Sequence, residues 1–502
     1  MNGGGWLRLG GWLAGLLIAG APAADAQGFR LRIDTRAETV RYRGLTADSI
    51  RSGQVVTGTN GGRETPEGYP VFCQPGRAFC SFYRPGPILN GGPFVTSANL
   101  VIWGLGLPGL SLHGDARIGV DMGDSRVWPG TEPAFQLFEG YLDYTSRRIT
   151  ARAGRLIENN RLGYNGFDGG RVAVRIPEAL NLELTAYGGG GLARGAALPV
   201  TNPVLNPLDE FQPRRRFVTA GAAASIATTP VDARLDYLRE VDPDVRYFVS
   251  EQVAGSVTVR PHERFTLTGG AIYDLAQGLW GSADLSLRYT TPRVTLIAGA
   301  RQYRPRFDLW TIWGAFSPVA YRAVNANVAV NATARLQLRA RGEYYKFDDA
   351  EVTTGLVAVE DHGYRASGGV SYVFSPEWNA DLGYQREFGT GAASQGWEGS
   401  VTWTPTERLS LTAQGASLQR PLEFRFSESA LYWYGLDVRY QASDRVRFGL
   451  DAAVYDEDRR RPDAAAVDWR QVRVAGRVTL LFSTNADGAP LPPAARRRPA
   501  GR

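Results

Sequence analysis

The sequence predicts an all-β chain, a closed antiparallel transmembrane β-barrel of about 22 strands (roughly 18–24). Three observations predict it: strands whose polarity flips at every residue, tight turns alternating with longer links, and aromatic residues gathered beside the tight turns. Arg335 to Phe347 shows the first. Arg335, Gln337, Arg339, Arg341 and Glu343 fall on one face, and Leu336, Leu338, Ala340, Gly342 and Tyr344 on the other. A soluble sandwich also alternates, but it rarely stacks guanidinium on guanidinium along its polar face. In a membrane barrel that face lines a wet lumen and the apolar face meets lipid.

The N-terminus carries Arg8, a short apolar stretch from Trp12 to Ala21, and the small-x-small triplet Ala24-Asp25-Ala26. This pattern predicts a secretory signal peptide over residues 1–26, cut before Gln27. An N-terminal anchor is the alternative, and the apolar stretch is too short to span a bilayer. No later run reaches the roughly 20 apolar residues of a membrane helix, and the mean hydropathy is −0.24. Barrel strands escape such a test because each carries a weak signal. The chain has 60 glycines and only 2 cysteines, which suits an exported β-protein more than a disulfide-built mini-domain. The net charge of +6 is modest for 502 residues, and Lys346 is the lone lysine, so nucleic acid is not an expected partner.

A first strand begins at once: Arg30, Arg32, Asp34 and Arg36 alternate with Phe29, Leu31, Ile33 and Thr35, which leaves no room for an N-terminal plug domain. A Gly- and Pro-rich insertion then runs from Gly44 to Pro93 as a long outer loop. It holds Cys73 and Cys80, which in an exported chain are expected to form one disulfide. Their spacing is neither a metal knuckle nor a CxxC motif. Beyond it, tight turns occur at residues 106–109, 146–148, 177–179, 228–230, 261–263, 291–293, 331–333, 375–377, 404–407 and 442–444. Barrels have short periplasmic turns and longer outer loops, so these are placed at the periplasm. A strand on each side of every turn, plus the first and last, gives the strand count.

Ser111, His113, Asp115 and Arg117 oppose Leu110, Leu112, Ala116 and Ile118 in the same phase as Arg335 to Phe347. Late in the chain Arg445, Arg447 and Asp451 oppose Val446, Phe448 and Leu450, and Gln471, Arg473 and Arg477 oppose Val472, Val474 and Val478. The lumen charge candidates are therefore Arg30, Arg32, Asp115, Arg117, Arg339, Arg341, Arg445, Arg447, Asp451, Arg473 and Arg477, joined by Asp34, Asp232, Asp236, Asp284, Asp381 and Asp437. Charged rings set the selectivity of a wet pore, although opposite charges on neighbouring strands also brace the wall. Phe265, Phe374, Trp378, Trp403 and Phe482, with Tyr289 and Tyr440, form the expected aromatic belt on the apolar phase.

Together the signal peptide, dyad repeats, alternating connections and apolar last strand ending at Phe482 resemble the transmembrane β-barrels of Gram-negative outer membranes. The resemblance is architectural, porin-like, and covers residues 27–482. It implies outer-membrane lipid and the barrel-assembly machinery as partners, a passage for solutes or an anionic polymer such as a polysaccharide, and no cofactor. Ala153-Gly154-Arg155-Leu156 and Gly166-Phe167-Asp168-Gly169-Gly170-Arg171 look like hairpins of porins and polysaccharide-export barrels. A Pro- and Ala-rich tail, 483–502, departs from barrels that end on an aromatic residue, and its composition predicts disorder. TonB-dependent receptors of similar strand number carry a plug that is not expected here.

Two other functions compete with a passage. The barrel could sheathe a periplasmic export or electron-transfer partner, such as a multihaem cytochrome, although the chain has no CxxCH haem motif of its own. It could also be a surface adhesin or scaffold using Phe307, Trp310, Trp313, Phe316, Phe424, Phe426, Tyr432 and Trp433. Catalysis is not expected. His113, His262 and His362 are assigned to a lumen strand, a periplasmic turn and an outer loop, and only His113, beside Ser111 and Asp115, is suggestive. The disulfide-pinned first loop is expected to fold inward and narrow the bore.

Overall fold

The computed structural model describes residues 28–58, 61–123, 134–192, 218–241, 248–304, 320–348, 361–389, 392–423, 427–460 and 469–484. The expected signal peptide, the tail beyond residue 484, and Phe307, Trp310, Trp313, Phe316, Phe424 and Phe426 lie outside these residues or their described side chains. The barrel strands are β1 (Gly28–Arg51), β2 (Pro93–Trp103), β3 (Leu110–Asp121), β4 (Phe135–Thr145), β5 (Ile149–Asn160), β6 (Gly163–Ile176), β7 (Leu182–Gly191) and β8 (Val218–Ala227). They continue with β9 (Val231–Val241), β10 (Phe248–His262), β11 (Phe265–Asp274), β12 (Leu279–Thr290), β13 (Val294–Tyr303), β14 (Tyr321–Asn331) and β15 (Leu336–Phe347). The last are β16 (His362–Val373), β17 (Trp378–Gly389), β18 (Ala392–Thr406), β19 (Leu409–Glu423), β20 (Ser427–Ser443), β21 (Val446–Arg460) and β22 (Trp469–Ser483).

Each strand pairs antiparallel with its sequence neighbour, and β22 pairs back on β1 from Arg30↔Ser483 to Arg41↔Val472, which closes the sheet. The sheet has 24 strands, of which Val71–Phe72 and Phe79–Gly91 belong to a projecting ribbon, leaving the 22 staves that the turn pattern predicts. The last strand runs through Ser483, so the wall extends past the expected start of the tail.

Contacts through the middle fix which face looks inward. Arg161, at the tip of the β5–β6 hairpin, ion-pairs with Asp284 on β12, and Glu158 on β5 lies 3.1 Å from Arg234 on β9. In a closed wall such chords run only through the interior. The pairing register carries this phase around the barrel. It puts Arg339, Arg341 and Glu343 of β15 inside and Leu336, Leu338 and Tyr344 outside. Exposure follows the inverted order of a membrane protein. Leu285 and Leu382 are 54% and 49% exposed, whereas Asp236 and Glu343 are 2% and 4% exposed.

The tight turns share one device. The hydroxyls of Ser146, Thr228 and Thr291 each accept the backbone N–H of the residue three positions on, at 3.0, 3.1 and 2.9 Å, and donate to that residue's carbonyl at 3.1, 2.7 and 3.2 Å. Thr333 and Thr406 accept the equivalent N–H at 3.0 and 3.1 Å. A side chain thus satisfies backbone groups that the ladder leaves behind, which explains why the turns are rich in Ser and Thr. Just beside them Phe265, Phe374, Trp378, Trp403, Tyr440 and Phe482 stand exposed on the outward face. Cross-strand partners meet ring to ring, Trp378 stacked on Trp403 at 5.4 Å and Phe265 tilted against Tyr289 at 4.9 Å.

The segment 44–93 differs from the expected inward loop. Residues 45–51 of β1 pair with Phe79–Pro85 in one ladder, so β1 and the strand Phe79–Gly91 that leads into β2 continue beyond the neighbouring strands as a two-stranded ribbon. Cys73 and Cys80 are bonded near its end, where Val71–Phe72 adds a short third strand. With its backbone committed to this ladder, most of the segment is not a free loop that could fold across the bore.

The face assignment makes a sharp prediction. Leu285→Arg should destabilise the barrel by about 2–4 kcal/mol, the cost of a cation on the lipid face, while Ser286→Arg, one residue along and facing the lumen, should be tolerated. Urea titration of the barrel in lipid vesicles measures both, and equal effects would reverse the assignment.

Candidate functional site

Among the described residues, the element that crosses the lumen is the top of the β5–β6 hairpin. β5 pairs with β4 only as far as Arg155↔Gly140, and β6 pairs with β7 only as far as Phe167↔Gly191, but β5 and β6 pair with each other up to Asn160↔Gly163. Above the break the hairpin leaves the wall and extends about 17 Å further, at about 3.3 Å per residue. Its turn is only Arg161-Leu162, between the two segments that the sequence marks as hairpin-like.

Glycines make the departure possible. Gly154 has φ +138°, and in register with it stands Gly169, which is in turn in register with Gly189. A β-carbon on Gly154 would strike the carbonyl of Gly140, and one on Gly169 the carbonyl of Gly188. This glycine row lies beneath the bend and lets three backbones approach closely. On the outward side of the bend Arg155 and Asp168 ion-pair at 2.7 Å, and Arg155 also donates to the Leu137 carbonyl at 3.1 Å.

Under the hairpin lies an apolar cluster on the lumen side of the wall. Leu156, Phe167, Tyr187 and Leu238 are buried together, with Leu162 and Tyr141 packed against them. Gly221 is what admits the Tyr187 ring. Beside the cluster sits a charged group. Arg171 reaches Glu158 at 3.1 Å, Arg234 reaches Glu158 at 3.1 Å and Asp236 at 2.7 Å, and both carboxylates are buried. Asn165 donates to the Thr219 hydroxyl at 2.8 Å. The hairpin is therefore fastened to β8 and β9 by packing and by paired charge.

The facing wall, β13 to β17, is rich in arginine. Glu343, almost fully buried, receives Arg301 at 2.7 Å and Arg365 at 2.9 Å, with Arg341 at 3.8 Å. Arg365 also holds Glu387 at 2.7 Å, and Arg339 pairs with Asp381 beside Ser371. Arg301 and Arg365 lie over the Tyr321 and Tyr345 rings at 5.5 and 4.8 Å. A shallow depression of about 340 Å³ opens here, lined by Asn327, Arg339, Arg341, Ser367, Gln385 and Glu398 among others.

Several expected lumen charges brace the wall. Arg32 pairs with Asp34 at 2.7 Å, Arg473 with Glu38 at 2.6 Å and Arg477 with Asp451 at 3.4 Å. Asp115 accepts from Asn99 at 3.1 Å, and Arg117 donates to Gln136 at 2.9 Å. Arg30 and Arg447 share the inward phase, while Arg445 sits in the β20–β21 turn and so lies outside the expected lumen ring. Trp433 points into the lumen, in register with Tyr455 and 6.1 Å from its ring, and does not present an adhesive surface. At the outer rim Lys346 lies 3.0 Å from Asp361, and this ammonium, with His362 beside it, holds the Asp361 carboxyl below its usual range. His113 accepts or donates with Ser111 at 2.9 Å through Nε2, the same nitrogen that faces Asp143 at 3.9 Å. A relay needs its serine and its carboxylate on opposite ring nitrogens, so this trio lacks one.

No protein-family model matches the sequence, and no curated protein matches it. Solved structures that resemble the barrel include Pseudomonas aeruginosa OccK1 (OpdK), at 11% identity over 90% of this chain and 99% of that one, TM-score 0.38. Others are the copper transporter OprC, at 13% identity over 89% and 80%, TM-score 0.40, and Acinetobacter baumannii OccAB4, at 9% identity over 92% and 100%, TM-score 0.38. At these values the likeness carries no argument, and the barrel stands on its own strand pairing.

Removing Arg234 should leave Glu158 and Asp236 buried without their shared partner. Arg234→Ala is expected to cost the hairpin about 3–5 kcal/mol of its fastening and to raise the conductance of the barrel in a planar bilayer. Unchanged conductance would show that the hairpin stays in place without this network.

Proposed function

We propose that the chain is an outer-membrane, porin-like passage for anionic solutes, its bore narrowed by the β5–β6 hairpin. The observation that carries this reading is the cluster of Arg301, Arg341 and Arg365 around the carboxylate of Glu343, with Glu387 shared only by Arg365, on the wall that the hairpin faces. Arg341 is 56% exposed and turned toward open lumen. A surplus of fixed cations at a narrowing raises the local concentration of anions. A 22-stranded barrel without a filling element would leave a wide hole, and the hairpin supplies one. Because it divides the bore, small solutes fit this reading better than a threaded protein or polymer. The outward apolar band and the aromatic row beside the turns support residence in lipid.

The purified, refolded barrel should give large, steady conductance in a planar bilayer, with a reversal potential in a salt gradient that favours anions. Arg341→Glu should lower that preference severalfold. A folded barrel with no conductance would mean a filled lumen and would turn the search toward a periplasmic partner.

A further inference from the structure

The hairpin tip makes one ion pair that its fastening does not need. Phe167, Leu238, Asn165 and the Glu158 network hold the hairpin to β8 and β9, whereas Arg161 reaches on to Asp284 of β12. Its guanidinium lies over Gly270, where a β-carbon would come within 2.6 Å of Cζ. Asp284 stands in register opposite Arg301, yet Arg301 turns away to Glu343 at 2.7 Å. Glu343 has Arg365 at 2.9 Å besides, so Arg301 can leave without stranding a buried carboxylate. Asp284 is 45% exposed and Arg161 21%, so water and solutes reach the pair from the Asp284 side.

We infer that Arg161 is the anion-recognition residue of the passage and that Asp284 is a built-in competitor for it. An oxyanion in transit takes the planar fork of Arg161, and Asp284 passes to Arg301, its cross-strand neighbour. Neighbouring residues of a ladder lie about 4.5–5.5 Å apart at their β-carbons, so the transfer needs only side-chain rotation. Every charge keeps a partner throughout: the oxyanion on Arg161, Asp284 on Arg301, and Glu343 on Arg365. No backbone motion of the fastened hairpin is required. The inference rests on the reading of the chain as an anion passage.

The test is block of potassium chloride current by inorganic phosphate, in wild type, Arg161→Gln, Arg161→Lys and Asp284→Asn, each checked for folding by heat-modifiable gel mobility. Wild type should show saturable block. Arg161→Gln, which removes a charge-assisted hydrogen bond, should weaken apparent phosphate affinity about tenfold. Asp284→Asn, which removes the competing carboxylate, should strengthen it by about the same factor. Arg161→Lys, which keeps charge without the fork, should fall between wild type and Arg161→Gln. Opposite shifts are the signature, because a pair that only braces the tip is broken alike by either substitution. Shifts in the same direction, or no shift, overturn the inference while leaving the passage intact. Should Arg161→Gln not assemble, Asp284→Asn decides alone, since bracing predicts equal or weaker block. Folded barrels that conduct nothing in every variant remove the passage reading, and this inference with it.

Discussion

Lipid offers no hydrogen bonds, so every backbone N–H and C=O in the bilayer needs a partner from the chain itself. The closure of β22 on β1 meets this constraint, and the rest of the molecule follows from it. Once the sheet has no edge, period-two alternation sends one side chain in two outward to lipid and the other inward to water. The inward set then carries buried carboxylates such as Glu158, Asp236 and Glu343, each matched by arginine. Charge pairing inside the lumen is thus a consequence of apolar pairing outside it.

Closure also explains the bend at Gly154. A strand can leave the wall only where its neighbours no longer need it. Pairing of β5 with β4 ends at Arg155 and that of β6 with β7 ends at Phe167, one residue or two beyond the glycine row. The pair that departs stays a hairpin, so its own backbone remains satisfied while its flank turns into the lumen. There the inward-phase side chains Leu156, Glu158 and Phe167 are pressed against the inner wall, and Phe167 becomes fully buried.

Much of this was legible in the sequence because alternation is a local signal. Arg335 to Phe347 reveals both of its faces, and Thr228-Thr229-Pro230 reveals its turn, without knowledge of any neighbour. The strand count follows because each tight turn is written in Ser, Thr, Pro and Asp. What crosses the lumen was not legible. The hairpin segments Ala153 to Leu156 and Gly166 to Arg171 stand out as glycine-rich, but nothing local says that Gly154, Gly169 and Gly189 fall in one row. That is a matter of register between strands. Arg161 and Asp284 are 123 residues apart, and their meeting depends on the circumference of the barrel. The first insertion drew attention instead because it is long and disulfide-bearing, yet its residues are spent on a ladder.

A plug that is an inserted loop can be deleted without harm to the wall around it. Here the narrowing is made of the upper halves of two staves, so aperture and container are cut from the same material. Excising Leu156 to Phe167 would strip the partner from Leu192, whose N–H donates to the Gly166 carbonyl at 2.8 Å, and would bare the apolar faces of Tyr187 and Leu238 to water. A lineage, or an engineer, seeking a wider opening would have to rebuild the rim between β4 and β7 at the same time. Bore width in this barrel is therefore inherited with wall integrity, and the two cannot drift independently.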